Sequence, residues 1–322
     1  MLNVYLTIDV EVWSPHWRLE PAALQQAYDT YILGRTAKGD FGLPYQLDVM
    51  NSANLTAVCF VEPLFSKVAG QHYLADIIKL CQLGSNDIQL HAHPEWLKHG
   101  VSDFQQIDFS QRYLLSEFTL SEQRLIIAEA KRLLEQETNR PVAAFRAGSF
   151  SANANTLIAL QQLGIAIDSS FNLSMPTDQH GFLYHSNQPN AIFLQQDVVE
   201  YPMTVYKTYN NSLRHAQLAA CTFQELKALL EHALKTGQRD FVILSHSVEM
   251  LDGARKSVDK GTLDTFLRTV EFLQRQPDKY ACQSFSATAQ PLLQSQELTK
   301  LHAGYTLHRT LSKVIHQLSS KF

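Results

Sequence analysis

The stretch Val4-Tyr5-Leu6-Thr7-Ile8-Asp9-Val10-Glu11 decides the architecture. Its side chains alternate with period two, so it reads as a β-strand. Val4, Leu6, Ile8 and Val10 form one face, and Tyr5, Thr7, Asp9 and Glu11 form the other. A strand that closes on two acids pointing the same way has reactive groups at its C-terminal end. The run DIQLHAHP at 87–94 repeats the device, with His91 and His93 on one face before Pro94 closes it. Each pair stands at strand spacing.

Outward from these two runs, strands and helices alternate. LTAVCFVE, around 55–62, is β-rich. YLADIIKLCQL follows as a helix, with Leu74, Ile77, Ile78 and Cys81 on one stripe and Gly84 as its stop. Thr119 and Glu122 stand in capping-box spacing at the start of a helix over 120–137, which ends at Arg140-Pro141. PVAAFRAG reads as a strand, NTLIALQQLG as a helix ending at Gly164, and IAIDSS as a strand. Thr222 and Glu225 cap a helix over 223–235, and FVILSHS is the next strand. TLDTFLRTVEFLQRQP is a further helix, and ACQSFS the last strand.

Repeated βα units joined by short turns predict an α/β fold with a parallel sheet. The expectation is a distorted (β/α) barrel of about seven or eight parallel strands over 1–290, followed by a C-terminal helical tail over 291–322. Barrels of this type place their active sites at the C-terminal strand ends. Asp9, Glu11, His91, His93, Arg146, Asp168 and His246 all fall at such ends. Residues 12–43 and 94–118 break the repeat and leave from the same face, so they are read as substrate-binding loops or as cover for the barrel mouth.

In the tail, Leu298, Leu301, Tyr305, Leu311, Ile315, Leu318 and Phe322 recur at helical spacing. Lys300, Arg309, Lys313 and Lys321 outnumber the acid Glu297. Such a basic amphipathic helix packs on its own domain or contacts an anionic membrane or a partner protein.

The 322 residues are 45% hydrophobic and 18% charged, a globular composition. A net charge of −4 gives no electrostatic case for nucleic acid as a partner. Cys59, Cys81, Cys221 and Cys282 show no metal-finger spacing and read as reduced thiols. The start MLNVYLTIDV enters a strand at once, without a basic region and apolar segment. The expected location is therefore cytoplasmic, with the tail leaving room for membrane association.

A divalent metal that activates water takes about three protein ligands and keeps an open position. His91 and His93 offer two imidazoles, and Glu11 or Asp9 offers an oxygen. The remaining acid can serve as general base, with Arg146 as the partner that holds it. His246 can protonate a leaving group, because its charge changes near neutral pH. Asp168 can orient that histidine. Two imidazoles and a carboxylate suit Zn²⁺ best among the divalent ions.

In this order the residues resemble the polysaccharide deacetylases of carbohydrate esterase family 4, the nodulation-type chitooligosaccharide deacetylase domain. The family's Thr-Phe-Asp-Asp is matched by Thr7-Ile8-Asp9-Val10-Glu11, and its two-histidine motif by His91-Ala92-His93-Pro94. Phe145-Arg146-Ala147-Gly148, Asp168-Ser169-Ser170 and Leu244-Ser245-His246 match the remaining three motifs. The resemblance covers roughly residues 1–290.

The resemblance implies Asp9 as general base, Glu11, His91 and His93 as metal ligands, and Arg146 as the group that holds Asp9. It implies His246 as general acid, with Asp168 orienting it. Three departures stand out. The metal carboxylate is a Glu displaced by one residue, the histidines are closer together, and the arginine motif lacks Pro-Tyr-Gly. These features resemble a divergent branch in lipopolysaccharide and surface-polysaccharide biosynthesis.

The implied activity is removal of an N-acetyl group from a nucleotide-linked or lipid-linked sugar. The alternatives are hydrolysis of a small non-sugar amide at the same site, or a catalytically silent glycan-binding protein.

Overall fold

In the computed structural model, the described residues are 1–99, 104, 106–175, 182, 189–285, 298–309 and 311. Thirteen strands and eight α-helices alternate along them. Strand β1 is Leu2–Val10, α1 is Pro21–Tyr31, β2 is Arg35–Thr36, β3 is Gly39–Asp40 and α2 is Leu43–Ser52. Then come β4 (Ala57–Val61), α3 (Ser66–Ala69), α4 (Gln71–Cys81), β5 (Asp87–Ala92) and α5 (Leu120–Thr138). Next are β6 (Ala144–Ala147), α6 (Ala154–Gln162), β7 (Ile167–Asp168), β8 (Phe193–Gln195) and β9 (Val198–Glu200). The last are β10 (Val205–Lys207), β11 (Leu213–His215), α7 (Phe223–Lys235), β12 (Asp240–His246), α8 (Lys260–Gln274) and β13 (Tyr280–Cys282).

Nine strands form one sheet in the order β12-β1-β4-β5-β6-β7-β9-β8, with β13 pairing the start of β1. All neighbours run parallel except β8, which is antiparallel to β9. The sheet curls into a half-barrel, the distorted barrel that the βα repeat predicts. Residues 204–218 run along the outer edge of β12. The Thr204 hydroxyl accepts from Val242 N–H at 2.8 Å, and Leu244 N–H donates to the Ala216 carbonyl at 2.9 Å.

The alternation in β1 sorts side chains into two cores. Val4, Leu6, Ile8 and Val10 pack outward under helices, among Leu24, Leu47 and Phe266. Tyr5 packs inward with Val58, Phe60, Val199, Val242 and Leu244. The inner face changes character toward the C-terminal end, where Thr7 and then Asp9 follow Tyr5.

The expected capping boxes form. Thr119 and Glu122 open α5, and Thr222 and Glu225 open α7, each pair exchanging side-chain and backbone hydrogen bonds. Such a cap stabilises a helix by roughly 1 kcal/mol.

The first excursion needs correction. Residues 12–43 hold α1, a small β2–β3 hairpin and the start of α2, so α2 joins the repeat between β1 and β4. Residues 94–118 contain the 3-10 turns Pro94–Lys98 and Leu115–Glu117. Residues 100–103 and 105 lie outside the described set.

Much of the expected tail, at 291–297, 310 and 312–322, also lies outside it. In the described part, Leu301 is buried and its N–H donates to the Lys207 carbonyl, while Arg309 pairs with buried Glu225. Leu307 and Leu311 are exposed. Among the described residues, no helix is long and apolar enough to cross a membrane. Cys59, Cys81 and Cys221 are buried free thiols, and Cys282 is a half-buried one.

Candidate active site

Register brings the chemistry together. Asp9 on β1 faces His246 on β12, and His91 on β5 faces Arg146 on β6. The predicted residues Asp9, Glu11, His91, His93, Arg146 and His246 thereby converge at one end of the half-barrel.

Arg146 organises this end and is wholly buried. Its Nη1 donates to Asp9 Oδ1 at 2.6 Å and to the Thr7 hydroxyl at 3.0 Å. Its Nε and Nη2 donate to the Ser169 carbonyl and hydroxyl, both at 3.1 Å. The guanidinium lies 4.2 Å from the centre of the Phe60 ring. Such a bed fixes a planar cation, and the cation fixes Asp9. The backbone of Arg146 acts as well, because its carbonyl lies 2.8 Å from His91 Nδ1. A carbonyl can only accept, so Nδ1 carries a proton and Nε2 is the nitrogen that turns toward Glu11.

Among the described residues, Glu11, His91 and His93 form a cluster with ligand atoms within 4.8 Å of one another. Glu11 Oε2 lies 2.9 Å from His93 Nε2 and 3.5 Å from His91 Nε2. His93 Nδ1 faces the Glu95 carboxylate at 3.3 Å, so Nε2 is the inward nitrogen here too. Two imidazoles, each anchored through Nδ1, and one carboxylate fit a divalent cation.

Geometry separates the two acids of the first motif. Glu11 lies with the histidines and Asp9 with Arg146. Burial would raise the Glu11 carboxyl, but hydrogen bonds from His91 and His93 outweigh it and hold it well below the usual carboxylate range. Burial would depress His93, but Glu11 and Glu95 raise it well above the usual imidazole range.

Gly148 sits against this cluster. A Cβ there would stand 2.4–2.6 Å from atoms of the His93 ring, so only glycine leaves the imidazole its place.

His246 is half-buried, and its Nδ1 lies 2.8 Å from Glu249 Oε2. The other Glu249 oxygen accepts from Gln217 Nε2 and from the backbone N–H of Ala219, both at 2.9 Å. Burial would lower the histidine pKa, but the charge and hydrogen bond of Glu249 raise it to about 9. Burial would raise Glu249, but the His246 charge keeps it below its ordinary value. From α2, Gln46 Nε2 donates to the carbonyls of His246 and Ser247 at 2.9 and 3.1 Å.

This corrects the expected role of Asp168. Asp168 is wholly buried at the end of β7, in register with Glu200 of β9 rather than with His246. It accepts from the Ser170 hydroxyl at 2.7 Å and meets the Glu200 carboxyl. Burial raises both carboxyls, and the Asp168 charge pushes Glu200 higher still, so Glu200 is the member that holds the proton. Glu249 stands where Asp168 was expected.

Sequence reasoning missed Glu249, Gln217, Gln46, Glu95 and Glu200. The i,i+3 spacing of His246 and Glu249 was the available signal for the first. It also missed Glu62 at the end of β4. Glu62 is buried, raised to about 8 by burial, and accepts from the backbone N–H groups of Leu64, Phe65 and His93.

No family model and no curated protein sequence matches the chain. Solved structures share its fold. A "putative polysaccharide deacetylase" from Mycobacterium smegmatis aligns with a TM-score of 0.55 and 16% identity, over 92% of this chain and 95% of that one. The Puue allantoinase aligns with a TM-score of 0.51 and 9% identity, over 88% and 87% of the two chains. The resemblance carried by the motifs thus holds at the level of the fold.

Proposed function

We propose that the protein is a metal-dependent hydrolase that removes an N-acetyl group from a sugar. One observation carries the reading. Two carboxylates from one strand end are sorted into different tasks, Glu11 beside two Nε2 atoms and Asp9 on a buried guanidinium. The first arrangement suits a cation and the second suits a base.

His91, His93 and Glu11 would hold the divalent ion, with Zn²⁺ best suited to the donor set. When bound, such an ion supplies Lewis-acid polarisation of the scissile carbonyl. Asp9 takes a proton from the attacking water, and Arg146 fixes the carboxylate so that one oxygen keeps its aim. His246, protonated and held at Nδ1 by Glu249, gives the Nε2 proton to the departing amine. Base and acid sit on neighbouring strands, paired in register. Glu249 thus takes the orienting task.

The motif departures support a place in surface-polysaccharide or lipopolysaccharide synthesis, with a nucleotide-linked or lipid-linked sugar as substrate. The fold shared with an allantoinase supports a second reading, in which the same groups open a small non-sugar amide.

Acetate release from a panel of N-acetylated sugars tests the proposal. Release is expected with the metal-loaded protein and is expected to stop on chelation. A metal-loaded protein that releases no acetate from any of them, yet hydrolyses small ureides, establishes the second reading instead.

A further inference from the structure

We infer that residues 11–20 carry a pyranose-binding platform built on Trp13 and Trp17, beside the metal cluster. This rests on the hydrolase reading above and selects its sugar branch over the small-amide branch.

The chain contains three tryptophans, and all of them meet here. Trp13 packs edge-on against His93, with ring centres 4.6 Å apart. Trp17 meets Trp13 at 5.8 Å and Trp96 at 5.2 Å, both edge-to-face, and stacks on His99 at 4.4 Å. Trp96 is wholly buried and anchors the group, touching Phe65 at 6.2 Å. Trp13 and Trp17 remain half-buried. Trp96 closes the cluster from below, while two indoles stay partly open next to the cation ligands.

The backbone is set to hold them. His16 and Trp17 take left-handed conformations, with φ of 56° and 51°. Side chains other than glycine adopt this region at a cost that surrounding contacts must meet. The Trp17 N–H donates to the Ser14 carbonyl at 2.9 Å, and the Ser14 hydroxyl bonds the Arg18 carbonyl. The indoles are therefore placed before any ligand arrives, which keeps the ordering cost of binding low.

A pyranose offers what such a surface recognises. One face of the ring presents C–H groups that lie flat on an indole, while the hydroxyls project sideways. Exposed His16 and the exposed Arg18–Glu20 ion pair, with Arg18 Nε 2.9 Å from Glu20 Oε1, lie on the same stretch and offer polar groups to hydroxyls. A small ureide has neither the flat apolar face nor the hydroxyl rim. With Trp13 against His93, a sugar stacked here carries its N-acetyl substituent toward the cluster of Glu11, His91 and His93.

Because every tryptophan of the chain belongs to this cluster, intrinsic fluorescence reads the platform directly. The probe is N,N′-diacetylchitobiose, titrated into the full-length metal-loaded Asp9→Asn protein. A saturable change in emission is expected. In parallel, Trp17→Ala is expected to raise KM for this sugar by about tenfold, the scale of truncating an aromatic anchor, with a smaller change in kcat. Trp17→Phe, which keeps a ring, is expected to recover most of the loss.

Emission that stays flat up to concentrations that saturate the wild-type enzyme would overturn the platform, as would a KM within twofold of wild type in a folded Trp17→Ala protein. If the wild-type enzyme releases no acetate but emission still saturates, the platform stands and the deacetylase reading falls. The absence of both acetate release and an emission change with this sugar overturns the platform as well.

Discussion

Asp9 and Asp168 occupy matching stations in two regions of one sheet, and they meet opposite kinds of partner. Each is a buried aspartate near the C-terminal end of a parallel strand. On the β1 side, Asp9 meets the Arg146 guanidinium at 2.6 Å. On the β7 side, Asp168 meets a second carboxyl, that of Glu200. The first neighbour is a cation that donates to the carboxylate; the second is a carboxyl that burial and the Asp168 charge push well above its usual range, so the proton of that pair sits on Glu200. What a strand-end carboxylate does is set by its neighbour across the register, not by its station.

The contrast is broken or upheld first by paired substitutions. Asp9→Asn is expected to lower kcat/KM for the N-acetyl sugar by roughly 10²–10⁴-fold, the range for a general base. Asp168→Asn is expected to stay within about threefold of wild type, because it lacks contact with the reacting groups. Steady-state acetate release decides this, and equal losses in the two variants would erase the distinction.

Gly148→Ala sharpens the β1 side. A methyl group there must displace the His93 ring, so divalent-metal affinity is expected to fall about 10–100-fold. Calorimetric titration with Zn²⁺ measures it, and unchanged affinity would remove His93 from the ligand set.

Glu249→Gln tests the acid. The folded pKa of His246 lies near 9, above its ordinary 6.5. Its stabilising pairing with Glu249 is fully present below 6.5 and is lost as pH rises through 9. The protonated, active ring should therefore persist to about pH 9. With the carboxylate gone, the alkaline limb of kcat/KM should move down toward 6.5. A limb that stays in place assigns the limiting proton to another group.

The smallest expected effect concerns the Asp168–Glu200 pair. Both carboxyls are raised, so the folded chain holds protons that the unfolded chain releases. That stability is present below the unfolded carboxylate range and is lost as pH rises through the raised values. Asp168→Asn should flatten this alkaline decline, changing unfolding free energy at pH 9 by about 1 kcal/mol in denaturant titrations. A decline as steep as wild type would show that the pair is not its source.

The same contrast explains what was legible in the sequence. Period two exposes residues that end long strands, which is why Asp9, His91, Arg146 and His246 could be read directly. The half of the sheet beyond β6 is made of strands of two or three residues, too short for alternation to register. Glu200 was invisible for that reason, and Asp168 was assigned by order along the chain when register decided it. Glu249 sits in a turn, where no period applies, and Gln46 is a neutral amide without a titration signature. Helix α1 did carry a signal, since Ala23, Leu24, Ala27 and Tyr28 are its buried residues and repeat at helical spacing. Its polar composition and opening proline made it look like loop.

The segment along the edge of β12 bears on how this protein can diversify. A half-barrel has a free edge whose unpaired backbone groups would template association with other chains. Thr204, Ala216 and Leu218 occupy those groups on β12, and the same stretch carries Gln217 to Glu249. Colloidal solubility and alignment of the acid are thus tied to one loop, which leaves it little freedom to drift. Evolutionary change in substrate range would fall instead on the excursion after β1, where insertions leave both the edge and His246 undisturbed.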